Sequence, residues 1–275
     1  LGLKEKLDLK WIADFRDPWT TIGYHKELKL SASSQKKHIA LESKVLHTAD
    51  SILVTSATTK KEFQLLTQKP IHVITNGYDV EQFEKLPLDD KFTMAHIGSF
   101  LSQRNPRILW KCLKEIIKEN PSFKEDFQLK LIGSVSQEVL ETITEFRLDS
   151  FVNNLGYLSH NEAVSQQRSS QVLLLIEINS EATKNIIPGK LFEYMVSERP
   201  ILALGPENSD FETIIKSTNT GVFHQYDEYD ELKQTILEFY EKYKTNSLKV
   251  QAVGLQQYSR KNLTKQLAEV INSKK

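Results

Sequence analysis

Three stretches of this 275-residue chain carry side chains of the types and spacing that chemistry needs. In the first, Asp14, Arg16 and Asp17 follow an apolar run at residues 9–13. If that run is a strand, two carboxylates and a guanidinium stand at its end, where α/β proteins keep binding groups on loops. The same charges would also serve by pairing with one another to hold the loop, and the residues alone leave both roles open. The second is a set of glycines, Gly98, Gly133 and Gly156, each closing a short apolar run. A residue without a side chain lets backbone approach a ligand closely, and the helix starts beyond such turns attract anions. One such glycine marks only a turn; three in corresponding places suggest a shared edge. The third is the helix opened by Pro188 and Gly189. Proline suits the first turn, where its missing N–H would be unpaired anyway. A helical wheel puts Leu191, Phe192, Met195 and Val196 on an apolar face, with Lys190, Glu193 and Ser197 on a polar one. Pro200 ends this helix, and residues 201–204 read as a buried strand.

Placing those groups on one edge requires a particular set of elements. Strands are expected at 9–13, 51–55, 71–75, 92–97, 128–132, 151–155, 172–176, 201–204 and 221–223. Helices are expected at 34–47, from Ser56, and at 106–118, 137–146, from Ser159, 210–216, 228–243 and 255–271. Ser159 and Glu162 have capping-box spacing, as do Thr59 and Glu62. Strands separated by helices imply right-handed crossovers and parallel sheets. Ligands of such sheets bind beyond the carboxyl ends of the strands. Residues 84–91 are polar, include a proline and show no periodicity, so they read as a linker. The resulting division is 1–86, 87–254 and 255–275, the last a helix returning toward the first part. Because the chain opens on Leu1 with a strand-like run close behind, it is expected to lack an upstream portion.

The 36 basic and 36 acidic residues give no net charge, so no nucleic-acid partner is expected. Cys112 is the only cysteine, which excludes a disulfide framework and suits a reducing, cytoplasmic compartment. No apolar run approaches a membrane span. The glycine fingerprint of dinucleotide sites, the P-loop, the nucleophile elbow and the H-E-x-x-H zinc motif are all missing, so no metal is expected.

The runs GKLFEYMVSERPILAL, GSFLSQRNP, LIGS, NNLGYLSH and ITNGYDVEQF resemble, in that order, the retaining nucleotide-sugar glycosyltransferases of family 4. ADFRDPWT resembles a bacterial subset of them. The resemblance implies a GT-B fold: two Rossmann-type parallel-sheet α/β domains, the first only partly present. It implies that Glu193 accepts hydrogen bonds from the donor ribose, although the glutamate would otherwise pair with Lys190. Lys190 and Arg104 would lie near the donor phosphates and act in catalysis. Gly98, Ser99, Gly133, Gly156, Tyr157, Leu158, Pro188 and Gly189 would line the donor site, with the base near the backbone of Gly156, Tyr157 and Leu158. Tyr157 either stacks on that base or belongs to the core. Asp14, Arg16 and Asp17 would face the acceptor. The chain departs from the family twice: Ser99 stands where an arginine is usual, and Asn185 where the first of two paired acids is usual. Glu177 and Glu181 are candidates to replace that acid.

The expected activity is transfer of a sugar from a nucleoside diphosphate sugar to an acceptor hydroxyl with retention, in polysaccharide biosynthesis. No cofactor is expected beyond the donor. The acceptor would be a saccharide or lipid-linked saccharide, with peripheral membrane association of the full-length protein. A fragment is expected to bind donor without transferring sugar. The alternatives are a nucleotide-sugar epimerase on the same fold and a non-catalytic two-lobe sugar-binding protein.

Overall fold

The computed structural model describes residues 2–79 and 86–273, so part of the expected linker lies outside the described residues. In chain order the elements are α1 (Gly2–Leu7), β1 (Ile12–Phe15), α2 (Ala32–Thr48), β2 (Ser51–Val54), α3 (Ala57–Gln64), β3 (Ile71–Val73), β4 (Phe92–Ile97), α4 (Arg107–Glu119), α5 (Pro121–Asp126) and β5 (Phe127–Ile132). They continue with α6 (Gln137–Glu145), β6 (Val152–Gly156), α7 (His160–Ser169), β7 (Val172–Ile176), α8 (Lys190–Met195), β8 (Ile201–Leu204), α9 (Asp210–Thr218), β9 (Gly221–His224), α10 (Tyr229–Lys244) and α11 (Arg260–Asn272). The strands form two parallel sheets, one in the order β1-β2-β3 and one in the order β6-β5-β4-β7-β8-β9. Parallel neighbours cannot be joined by a tight hairpin, so a crossover is needed at each connection.

Strands buried on both faces must be apolar along their whole length, and β7 and β8 are. Their residues alternate between two layers. Leu174, Ile176, Leu202 and Leu204 pack with Trp110, Leu113 and Ile236 on one side of the sheet. Leu173, Leu175, Ile201 and Ala203 pack with Leu191, Phe192, Phe211 and Ile215 on the other. The smaller sheet has its own core of Ala13, Phe15, Leu46, Ile52, Val54 and Phe63.

The order of the larger sheet matters for function. From β4 the chain moves outward through β5 and β6, then returns to β7 on the other side of β4. The adjacent carboxyl ends of β4 and β7 therefore diverge into helices on opposite faces, leaving a crevice at this reversal.

Four local expectations change. β1 begins at Ile12, not at residue 9, because Asp50 Oδ2 accepts from Trp11 N and Leu9 is exposed. Asp14 consequently lies within the strand. Helix α5, unexpected, starts on Asn120-Pro121, where the asparagine side chain accepts from Phe123 N. Helix α8 spans only six residues and does not present Lys190 and Ser197 to solvent, since Ser197 is buried and Lys190 half-buried. Finally, Asp89 at the end of the expected linker is fastened to the larger sheet by Thr93, Lys130 and the Gln171 amide.

Several contacts join the two sheets. Asp210 Oδ2 accepts from Thr58 N at the start of α3. Tyr78 N donates to Tyr258 O and Arg260 N donates to Tyr78 O. Helix α11 lies against the smaller sheet's side of the chain: Lys10 Nζ donates to the carbonyls of Val270, Ile271 and Ser273. An ammonium there satisfies carbonyls that a helix end leaves unpaired.

Candidate donor site at the strand reversal

Beyond β4 the backbone turns at Gly98, with φ of 103°, and beyond β5 at Gly133, with φ of 109°. Gly98 N donates to Ile132 O, Phe100 N to Ser134 O and Gly133 N to Gly156 O, each within 2.8 Å. The three glycines thus form one continuous edge. Phe100, buried, and the following turn at Ser102–Arg104 carry Arg104 back over it. Asn105 holds that turn by donating to Thr142 Oγ1 and accepting from Trp110 Nε1.

Arg104 meets the carboxylate of Glu177, which stands at the end of β7. Its Nε donates to Oε1 at 2.9 Å and its Nη2 to Oε2 at 3.2 Å. Glu177 is 1% exposed and also accepts from Ile178 N at 2.9 Å, while its own carbonyl accepts from Tyr226 OH. This planar two-point contact fixes the guanidinium and leaves Nη1 for another anion.

Lys190, at the start of α8, completes the cluster from the other side. Its Nζ lies 3.2 Å from His96 Nε2, and a Cβ built on Gly98 would sit 3.3 Å from it. Burial, with the Arg104 cation adding to it, lowers the Lys190 amine to about 8, and Glu177 opposes that shift. His96 is fully buried in β4, its ring stacked on Phe100 at 4.1 Å. Burial, then Lys190 and Arg104, push the imidazole well below its usual value, so it is neutral. One buried carboxylate, bound by Arg104, thus stands against two cations, leaving an excess of positive charge at the edge.

The structure brings together Gly98, Gly133, Gly156, Arg104 and Lys190, and places the other candidates around them. Ser99 is exposed beside Gly98. Pro188 and Gly189 form the turn into α8, with Pro188 O accepting from Leu191 N. Tyr157 is 92% exposed, which removes the core reading, whereas Leu158 is partly buried against the core. Glu193 does not pair with Lys190. It lies on the wall of a hollow of about 150 Å³, with Gln167, Arg168, Tyr78 and Arg260. Asp14, Arg16 and Asp17 are all exposed and line an open hollow on the smaller sheet with Trp11 and Trp19. Arg16 donates to Asn76 Oδ1, and Thr55 Oγ1 donates to Arg16 O.

The two candidates to replace the acid missing at position 185 both have partners in the structure. Glu177 is committed to Arg104, and Glu181, exposed, pairs with Lys184. Asn185 is buried, with Oδ1 lacking a partner among the described residues. His96 was not foreseen; its signal was a lone ionisable residue in the otherwise uncharged strand FTMAHI. No group of three or more His, Cys, Asp and Glu side chains placed to hold a metal occurs among the described residues.

Solved structures define the class of this architecture. Sucrose-phosphate synthase from Thermosynechococcus elongatus aligns over 98% of this chain and 69% of its own, with 14% identity and a TM-score of 0.68. Anabaena HepE, in complex with UDP, aligns over 90% and 70%, with 15% identity and a TM-score of 0.68. WaaG, a glycosyltransferase involved in lipopolysaccharide biosynthesis, aligns over 96% and 75%, with 12% identity and a TM-score of 0.66. The chain has the GT-B fold of these glycosyltransferases. No protein-family model matches it, and no curated sequence does.

Proposed function

We propose that this chain is the donor-binding part, with a portion of the acceptor part, of a glycosyltransferase. It takes a sugar from a nucleoside diphosphate sugar and passes it to an acceptor hydroxyl with retention. The carrying observation is the pair of cations, Arg104 and Lys190, held over a glycine edge at the strand reversal. A diphosphate carries the charge that this site lacks, whereas a free sugar carries none. Residues 87–254 form the donor side, 1–86 the acceptor side, and 255–275 the returning segment that carries α11.

The chemistry follows from the geometry. Breaking the bond between sugar and diphosphate leaves negative charge on the departing phosphate oxygens. Donors fixed before the reaction stabilise that charge without reorganising, which is where most of such a barrier is removed. Glu177 fixes Arg104 for this task, and the backbone turns at Gly98 and Gly133 let the phosphate approach. Glu193 accepts from the ribose hydroxyls, Tyr157 stacks on the base, and Asp14, Arg16 and Asp17 orient the acceptor. Arg104 and Lys190 oppose the charge of the diphosphate without a metal ion. The acceptor is a saccharide or a lipid-linked saccharide. No helix among the described residues is long and apolar enough to cross a membrane, and a lipid-linked acceptor is reached by peripheral association.

Calorimetric titration with UDP and uridine tests the reading, UDP being the ligand held by HepE. Arg104→Ala is expected to weaken UDP about tenfold to hundredfold, from about 1.5 to 3 kcal/mol, and uridine much less. Glu193→Gln is expected to weaken both ligands. Wild-type protein that binds neither, or an Arg104→Ala variant that loses both equally, would overturn the assignment.

A further inference from the structure

A buried imidazole nitrogen without a hydrogen-bond partner is costly unless something needs the ring there. His96 is 0% exposed and faces Lys190 Nζ at 3.2 Å through Nε2, and its Nδ1 has no partner among the described residues. The ring has little freedom to turn, because Phe100 stacks on it at 4.1 Å and 23°. Lys190, for its part, pairs with no carboxylate among the described residues: Glu177, the carboxylate that acts on it, is gripped by Arg104 through both oxygens. The ammonium is thus held by a neutral acceptor in a place where a carboxylate would cancel its charge.

We propose that His96 is the positioning residue of Lys190, its unprotonated Nε2 taking one ammonium N–H so that the other two face outward over Gly98. An ammonium has only donors, so an Nε2–H imidazole would set hydrogen against hydrogen. The contact therefore requires the Nδ1–H tautomer. It also explains why an orphaned Nδ1 is tolerated: the strand spends one unsatisfied N–H to aim a cation without neutralising it. The groups acting on this ring are the Lys190 cation from α8 and the Arg104 cation from the turn after β4, and both keep the imidazole neutral. Glu177, at the end of β7, acts on Lys190 in the opposite sense to Arg104. As to what the outward N–H groups meet, the inference rests on the diphosphate reading above.

Nitrogen-15 correlation spectra of the histidine rings in the ligand-free wild-type protein test the contact itself. His96 is expected as the Nδ1–H tautomer and neutral at pH 6; an Nε2–H tautomer or an imidazolium there overturns the proposal. UDP titrations then test the consequence. His96→Leu removes the acceptor and is expected to weaken UDP about tenfold, while His96→Gln, whose Oε1 replaces Nε2, stays within about threefold. In a Lys190→Met background, His96→Leu is expected to change nothing further, since the residue acts only through the lysine. Equal losses in the Leu and Gln variants, or an undiminished loss in the Lys190→Met background, would make His96 a packing residue. If the wild-type protein shows the expected tautomer yet binds no UDP, the diphosphate reading fails and the positioning of Lys190 stands. Should His96→Leu fail to fold, the spectra of the unaltered protein and the Gln variant still decide.

Discussion

Replacing Gly133 by alanine probes how closely the ends of β4 and β5 approach. The new Cβ would lie 2.7 Å from Gly98 O and 2.9 Å from Gly98 C, and both are backbone atoms. Carbon and oxygen ordinarily come no nearer than about 3.3 Å, and a backbone carbonyl cannot swing aside as a side-chain end can. Overpacking of this kind costs about 1 to 3 kcal/mol. The φ of 109° adds a conformation nearly reserved for glycine, worth about 1 to 3 kcal/mol more. A total of about 2 to 6 kcal/mol corresponds to a fall in Tm of roughly 4 to 24 °C for a chain of this size. Gly156→Ala supplies the control: φ is 63° and nothing lies within 4 Å of the added atom. Only the left-handed backbone is penalised there, about 1 kcal/mol and roughly 2 to 4 °C. Urea titration and calorimetry of the three proteins measure both values. If Gly133→Ala costs no more than Gly156→Ala, the strand ends are not in contact and the glycine edge of the site is misdrawn.

Two of the groups already described carry further expectations. Lys190 titrates at about 8 in the folded chain against 10.5 ordinarily, so between those values the unfolded chain binds a proton that the folded one has released, and stability rises with pH. Relative to Lys190→Met, the wild-type protein should gain about 2 kcal/mol from pH 8 to pH 10 by urea titration; parallel curves would contradict the burial of the amine. Tyr157→Ala should leave stability within about 0.5 kcal/mol, because the side chain is 92% exposed. It should nevertheless weaken UDP about tenfold in calorimetry if the ring stacks on the base, and an unchanged affinity removes it from the site.

What the residues revealed in advance depended on how local the physics was. The capping box of Ser159 and Glu162 forms as its spacing implies, because both partners sit in one turn. The apolar runs of β7 and β8 were legible because strands buried on both faces leave no room for alternation. Helix α5 was missed although Asn120-Pro121 is a good helix start: the asparagine ends α4 and begins α5 at once, and the join reads as one long terminus. The wheel for α8 held for the buried face of Leu191, Phe192 and Met195 and for exposed Glu193. It departed only at Lys190, whose Nζ turns to His96, and at Ser197, whose hydroxyl donates to Tyr194 O. The central contacts of the candidate site were beyond reach, since Arg104 and Glu177 are 73 residues apart and Lys190 and His96 are 94 apart. Nothing in local spacing announces a pair that only the reversal of the sheet brings together.

The chain passes between the two sheets near Tyr78 and again near Ser259, and the two passages run parallel, bonded to each other through their main chains. Gly77 allows them to lie so close, for a Cβ there would fall 2.3 Å from Tyr258 O. The result is a pin rather than a pair of loose tethers. A twist about the line of the two passages leaves both bonds intact, whereas drawing the sheets apart breaks both together. Because the pin is made of peptide groups, its two bonds need no particular side chain, although Tyr78 and Tyr258 also pack on the larger sheet's core. As far as those bonds are concerned, the residues along it are free to change. The glycine is not, so a single methyl group at position 77 would unseat the axis while leaving each sheet whole.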